Sequence, residues 1–262
     1  MKRKFGWFVV LSFFVILITG FWWGPKFIEI FENVQESNIN VNGSNLENEP
    51  FNNYTSRSVV YVLVESVKGT SKVTSQGSGV IVDYDAEDFY VLTNYHLFET
   101  LDGFEVQSIK IVDYLNNNYY AESVISNQLE EIASVTYDLS LLKVKRIDTE
   151  IYEAFKSRIT IIPGSIVHSI GYPQNERSFT SGTFLQMERS YGLPFDLIAH
   201  DSYLNKGSSG GALLDKNGDL LGINVRVLYT PETEEFYQGY AIPLEKIEEY
   251  LGMFNLRLEE RT

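Results

Sequence analysis

Apolar residues in the second half of residues 1–100 and beyond arrive in short runs broken by Gly, Asn and Asp, and that rhythm leaves few folds open. Residues 58–65 (SVVYVLVE), 79–84, 88–93, 108–113 and 138–144 are rich in Val, Ile, Tyr and Phe. Such residues suit a pleated, half-buried strand. A second group follows at 165–170, 182–186, 197–201, 211–214 and 220–228, with Asp215-Lys-Asn-Gly218 as a hairpin-turn signal between its last two members. Many short strands without intervening helices predict an all-β fold built as a sandwich or as barrels. One helix is expected near the end, where Pro243 suits a first helical turn and Leu244, Ile247 and Leu251 recur at helical spacing. With so few residues after it, no further domain is expected.

The start of the chain is different. No charged residue lies between Lys4 and Lys26, a gap of 21 residues. At about 1.5 Å per residue, some 20 helical residues span a bilayer's hydrocarbon core of roughly 30 Å. Lys2, Arg3 and Lys4 precede the gap, and Phe21, Trp22 and Trp23 close it as an interfacial belt does. A cleaved signal peptide would end in small residues, whereas the exit here is bulky. The expected order is therefore a cytoplasmic tail (1–4), a transmembrane signal anchor (5–25), a stalk (26–57), a folded exported domain (58–254) and a short tail (255–262). The stalk is rich in Asn and lacks apolar periodicity. Its sequons at Asn42 and Asn53 are expected from chance in such a stretch.

Beyond residue 26 the chain carries 17 basic and 35 acidic residues. Such a surface repels phosphate backbones, so nucleic acid is excluded as a partner. There is no cysteine, so the exported domain depends on its core, with neither disulfides nor thiolate metal sites.

The strongest chemical signal is Asn205-Lys-Gly-Ser-Ser-Gly-Gly-Ala212, lying between two apolar strands. It satisfies G-x-S-x-G, the nucleophile elbow of esterases of the α/β-hydrolase fold, but there the histidine follows the serine. The three histidines, His96, His168 and His200, all precede Ser209. The order histidine, aspartate, serine remains. A serine hydroxyl needs an imidazole to take its proton, and the imidazole needs a carboxylate to hold its tautomer. His96 stands just beyond an apolar strand (Val91-Leu-Thr-Asn-Tyr-His96), and Asp138 is expected to open one (Tyr137-Asp-Leu-Ser-Leu-Leu-Lys-Val144). The N–H groups of Gly207 and Ser209 are placed to receive an oxyanion. His168 is expected inside a strand as a hydrogen-bonded core residue, and His200 as a surface or structural residue. Tyr203 and Leu204 before the nucleophile, with Val225 and Arg226 in the strand after it, would line the substrate site. No metal or cofactor is required.

These segments, with Gly222-Ile-Asn and Gly239-Tyr-Ala-Ile-Pro243 after them, resemble the trypsin-like peptidases of the HtrA/Deg group over residues 58–251. The resemblance implies two antiparallel six-stranded β-barrels with a short C-terminal helix. His96 and Asp138 would come from the first barrel and Ser209 from the second. It implies an endopeptidase acting on protein or peptide substrates, with a degenerate protease-like binding or sensing domain as the alternative. It also implies trimerisation, for which Phe51 and Tyr54 are available. Ser208 stands where that family usually has Asn, and Lys206 where it often has Pro. A C-terminal peptide-binding PDZ domain, frequent in the family, is not expected here.

Overall fold

The computed structural model describes residues 57–145, 156–157, 161–189, 192–231 and 233–260. The predicted anchor, almost all of the stalk and the aromatic pair Phe51 and Tyr54 lie outside these residues. Among the described residues no helix is long and apolar enough to cross a membrane.

Six antiparallel strands form the first barrel: β1 (Val59–Lys68), β2 (Ser71–Tyr84), β3 (Asp88–Thr93), β4 (Glu105–Val112), β5 (Asn118–Ser123) and β6 (Ser140–Lys145). They close in the order β1-β2-β3-β6-β5-β4. Val60, Val62 and Val64 of β1 point inward to meet Ile81, Phe89, Val91, Ile111 and Leu142. The alternate β1 residues are buried as well. Val59 and Tyr61 join a cluster containing Ile170 and Tyr172 of the second half, with the Tyr61 and Tyr172 rings edge-to-face at 6.1 Å. Burial on both faces is why this strand reads as a continuous apolar run rather than an alternating one.

After a two-residue strand β7 (Lys156–Ser157), the second half uses β8 (Ile166–Gly171), β9 (Ser178–Arg189), β10 (Asp196–His200), β11 (Ala212–Asp215), β12 (Leu220–Tyr229) and β13 (Phe236–Pro243). The order is β11-β8-β9-β10-β13-β12, and pairing of β11 with β12 closes a second six-stranded ring. Strand β7 lies parallel to β12, and a short β14 (Glu259–Glu260) lies parallel to β7. The β11–β12 turn forms as the sequence suggests. Asp215 Oδ1 accepts from the Asn217 and Asp219 N–H groups, and Gly218 takes φ +84°. Inside the ring sit Val167, Phe184, Ile198, Leu213, Leu221 and Ala241.

Two α-helices complete the fold among the described residues. The expected C-terminal one, α2 (Leu244–Gly252), buries Leu244, Ile247, Tyr250 and Leu251, each apolar side chain contributing about 1.5–3 kcal/mol. Pro243 is its extended N-cap and the last residue of β13, not part of the first turn. The other helix, α1 (Gln128–Tyr137), lies where the sequence reading placed no element. Its apolar Leu129, Ile132 and Val135 face solvent, so the usual inward stripe is missing. Its start is nonetheless written in the sequence: Asn127 Oδ1 accepts from the N–H groups of Leu129 and Glu130, while Glu130 accepts from the Ser126 N–H, a reciprocal cap.

The histidine readings divide. His168 is the expected core residue, with Nδ1 2.9 Å from Ser181 Oγ and its ring stacked on Phe179 at 5.2 Å. His200 is not at the surface: it is wholly buried in the second barrel, paired across β10 and β13 with Gly239. A side chain at Gly239 would meet its ring at 2.5 Å. Burial lowers its pKa to about 4, the facing Asn224, Asp201 and Ser202 opposing this too weakly to offset it. Burial lowers that of His168 as well, against a smaller opposing effect of Asp215. An unfolded histidine titrates near 6.5, so the unfolded chain binds more protons between about pH 4 and 6.5. Stability from His200 is therefore complete above pH 6.5 and lost as pH falls toward 4, by at most about 3 kcal/mol. Urea unfolding at several pH values should show that loss in the native protein and a shallower slope in His200→Gln, by up to about 1.4 kcal/mol per pH unit.

Candidate active site

His96 and Asp138 meet at the end of the first barrel. Strand β3 ends at Thr93, and a single 3-10 turn, Tyr95–Phe98, carries His96 away from it. Asp138 does not open strand β6, as its sequence context suggests. It is the left-handed C-cap of α1, with φ 52° and ψ 44°, and its N–H returns to the Ser134 carbonyl. Aspartate is among the few non-glycine residues that tolerate this conformation.

That cap sets the direction of the carboxylate. Oδ2 lies 2.8 Å from His96 Nδ1, and Oδ1 accepts from the His96 backbone N–H at 2.8 Å. Asn94 Nδ2 donates to the Asp138 carbonyl at 2.9 Å. The carboxylate thus binds both the ring and the main chain of one residue, which fixes the ring's position. An acceptor at Nδ1 places the proton there and leaves Nε2 free to act as a base. The pair is partly open to solvent, with side chains 34% and 18% exposed.

Ser209 approaches from the second barrel. Its carbonyl accepts from the Ser78 N–H at 2.7 Å. A side chain at Gly77 would meet both Leu97, the neighbour of His96, and the Ser209 carbonyl. Among the described residues no hydrogen bond joins the His96 ring to the Ser209 hydroxyl. Such bonds are often long until substrate is bound.

The loop before Ser209 is held through its carbonyls. A trans peptide is planar, so a carbonyl bonded on one side sends the next N–H to the other. The Lys206 carbonyl accepts from Gln174 N–H at 3.2 Å, and the Ser208 carbonyl from Gly211 N–H at 3.0 Å. The N–H groups of Gly207 and Ser209 are thereby turned away from these anchors, and among the described residues neither donates to a backbone carbonyl. The Ser208 N–H, by contrast, is used by the Asn205 carbonyl at 2.9 Å. Gly207 must be glycine: it has φ +99°, and a Cβ would stand 2.8 Å from the Tyr172 carbonyl oxygen. Behind the loop, the main chain of Asn224 accepts from Gly210 N–H and donates to the Gly211 carbonyl, both at 2.8 Å.

The remaining sequence candidates flank this loop. Leu204 and Val225 are buried, Tyr203 is half exposed with its ring 5.1 Å from that of Phe236, and Arg226 is partly buried beside Gly192. Sequence reasoning missed Ser78, Asn94, Gln174 and Asn224. Gly77-Ser-Gly79, a serine between two glycines inside a strand, was the available signal for the first of these. Among the described residues no cluster of His, Asp or Glu is arranged to hold a metal ion.

Comparisons with known proteins show what the chain as a whole is similar to. The family model described as a trypsin-like peptidase domain matches residues 77–223. A probable periplasmic serine endoprotease, DegP-like, from Buchnera aphidicola subsp. Baizongia pistaciae is 31% identical over 67% of this chain and 36% of its own length. The periplasmic serine endoprotease DegP of Escherichia coli K12 is 31% identical over 66% of this chain and 34% of its own. The chain thus spans about a third of the length of these relatives. A solved HtrA-type protease, AlgW with a tripeptide, superposes with a TM-score of 0.61 and 25% identity, covering 77% of this chain and 61% of that one.

Gly210 offers a direct check on the loop. With φ +84° it lies where any Cβ would collide with the Ser78 carbonyl. Gly210→Ala should therefore destabilise the protein by about 2–4 kcal/mol or prevent folding, measured as thermal melting or as loss of soluble protein.

Proposed function

Because the chain belongs to the trypsin-like peptidase domain family, we propose that it is a serine endopeptidase whose triad is His96, Asp138 and Ser209. The observation that carries the reading is the double hold of Asp138 on His96, by ring nitrogen and main chain together. Ser209 Oγ attacks the scissile carbonyl and gives its proton to His96 Nε2. The carbonyl oxygen becomes an oxyanion received by the N–H groups of Gly207 and Ser209. His96 then passes the proton to the leaving amine, and water hydrolyses the acyl-enzyme by the same route. Asp138 keeps the Nδ1 proton in place and balances the imidazolium.

Ser209→Ala and His96→Ala should each lower kcat by about 10⁴- to 10⁶-fold, with the double variant little worse than either. Asp138→Asn should be comparably severe, because it favours the wrong tautomer. A fluorophosphonate probe should label the native protein and not Ser209→Ala. The competing reading, a binding or sensing module, is favoured by the missing hydrogen bond between the His96 ring and the Ser209 hydroxyl. An unlabelled, inactive native protein would establish it.

For specificity, Leu204 and Val225 supply apolar walls, and no aspartate lies in residues 203–206 to pair with a substrate cation. An unpaired cation is costly to bury, so cleavage after small or medium aliphatic residues is expected, with the substrate adding as a strand beside β12. A peptide-library profile dominated by Lys or Arg would overturn this. One dominated by Asp or Glu, and lost in Arg226→Ala or Lys206→Ala, would transfer the selection to those cations.

Residues 5–25 would hold the enzyme in the membrane with its catalytic domain outside. Protease added to intact cells should then digest the domain and spare the N-terminus. A soluble form in the medium starting near Phe21 would show cleavage instead.

A further inference from the structure

Ser78 lies on the first barrel, yet its N–H and its hydroxyl are both engaged by the second. The residue is wholly buried. Its N–H donates to the Ser209 carbonyl at 2.7 Å, and its own carbonyl accepts from Thr93 Oγ1 at 2.6 Å. The hydroxyl oxygen accepts from the Tyr172 N–H at 2.8 Å and lies 2.7 Å from the Gly207 carbonyl oxygen. A hydroxyl has one proton. An amide nitrogen can only donate and a carbonyl oxygen can only accept, so that proton must point at Gly207.

We propose that Ser78 is a positioning residue for catalysis, its hydroxyl fixing the Gly207 carbonyl and with it the amide groups that would receive the oxyanion. The inference rests on the reading of Ser209 as nucleophile. With the Gly207 carbonyl drawn toward Ser78, planarity turns the Ser208 N–H to the opposite side, where it closes the turn on the Asn205 carbonyl. Among the described residues, no other hydrogen bond from the first barrel reaches this peptide. Glycine rotates with little steric resistance, and rotation of the 207–208 peptide displaces the N–H groups on either side of it. The nucleophile, the histidine and the walls beside Leu204 and Val225 are untouched, so the loss should fall on the transition state rather than on substrate binding.

The test compares full-length native protein with Ser78→Ala and Ser78→Cys, which retains a weaker donor. Four quantities are measured: kcat and KM on a cleavable peptide, the inhibition constant of a peptide boronate whose tetrahedral adduct places an oxygen where the oxyanion forms, and the melting temperature. Ser78→Ala should lose about 10- to 100-fold in kcat with KM changed less than about threefold, and boronate affinity should fall in parallel with kcat/KM. Ser78→Cys should be intermediate in both. If Ser78→Ala does not fold, the same proportionality in Ser78→Cys decides. The inference is overturned if kcat stays within about threefold, if KM rises at constant kcat, or if boronate affinity does not follow the rate. A native protein that fluorophosphonate fails to label refutes the peptidase reading itself. A labelled native protein with an unimpaired Ser78→Ala refutes only the role of Ser78.

Discussion

An unpaired strand edge is the constraint that organises this molecule. Each edge exposes a row of N–H and C=O groups that water must solvate or another strand must bond. Both sheets solve the problem by closing, β1 on β4 in the first and β11 on β12 in the second. With no cysteine in the chain, no covalent staple contributes. Closure satisfies the main chain, and apolar interiors do the rest. The two rings then meet through residues such as Val59, Tyr61, Ile170 and Tyr172, which belong to the outer surface of one barrel and the shared core of the whole.

That junction is also where the candidate chemistry lies. Each side brings something the other lacks: a histidine fixed by a carboxylate on the first barrel, and a serine on a glycine-rich loop on the second. What joins them is mostly backbone. Amides and carbonyls of residues 205–211 are anchored alternately to Gln174, Ser78 and Asn224, so the loop's shape is set by elements from both halves.

The strand pattern was legible because strands leave a strong mark when buried on one or both faces. The turn at Asp215–Gly218, the C-terminal helix and the three catalytic candidates could be read for the same reason: each rests on residues whose type is dictated locally. Helix α1 could not be read that way. Its apolar residues point outward, and only its cap betrays it. Missing α1 also misplaced Asp138, assigned to a strand when it closes a helix in a left-handed conformation. Strand β5, of which only Tyr119 is deeply buried, was missed for want of an inward run. Of the two readings left for His200, surface or structural, the second holds: a polar type beside Asp201 suggests solvent, while its register opposite Gly239 makes room for a ring inside the barrel.

The support of Asp138 runs further along the chain than its barrel does. Helix α1 is braced by α2: Ser134 Oγ and Tyr250 OH are 2.8 Å apart, and Tyr137 OH donates to Glu249. The carboxylate that orients His96 therefore leans on the last helix, more than a hundred residues downstream. A chain still being synthesised lacks that brace until Leu244–Gly252 have been made. The histidine's carboxylate gains its full scaffold only once α2 is in place, a built-in delay between closing the first barrel and completing the candidate site.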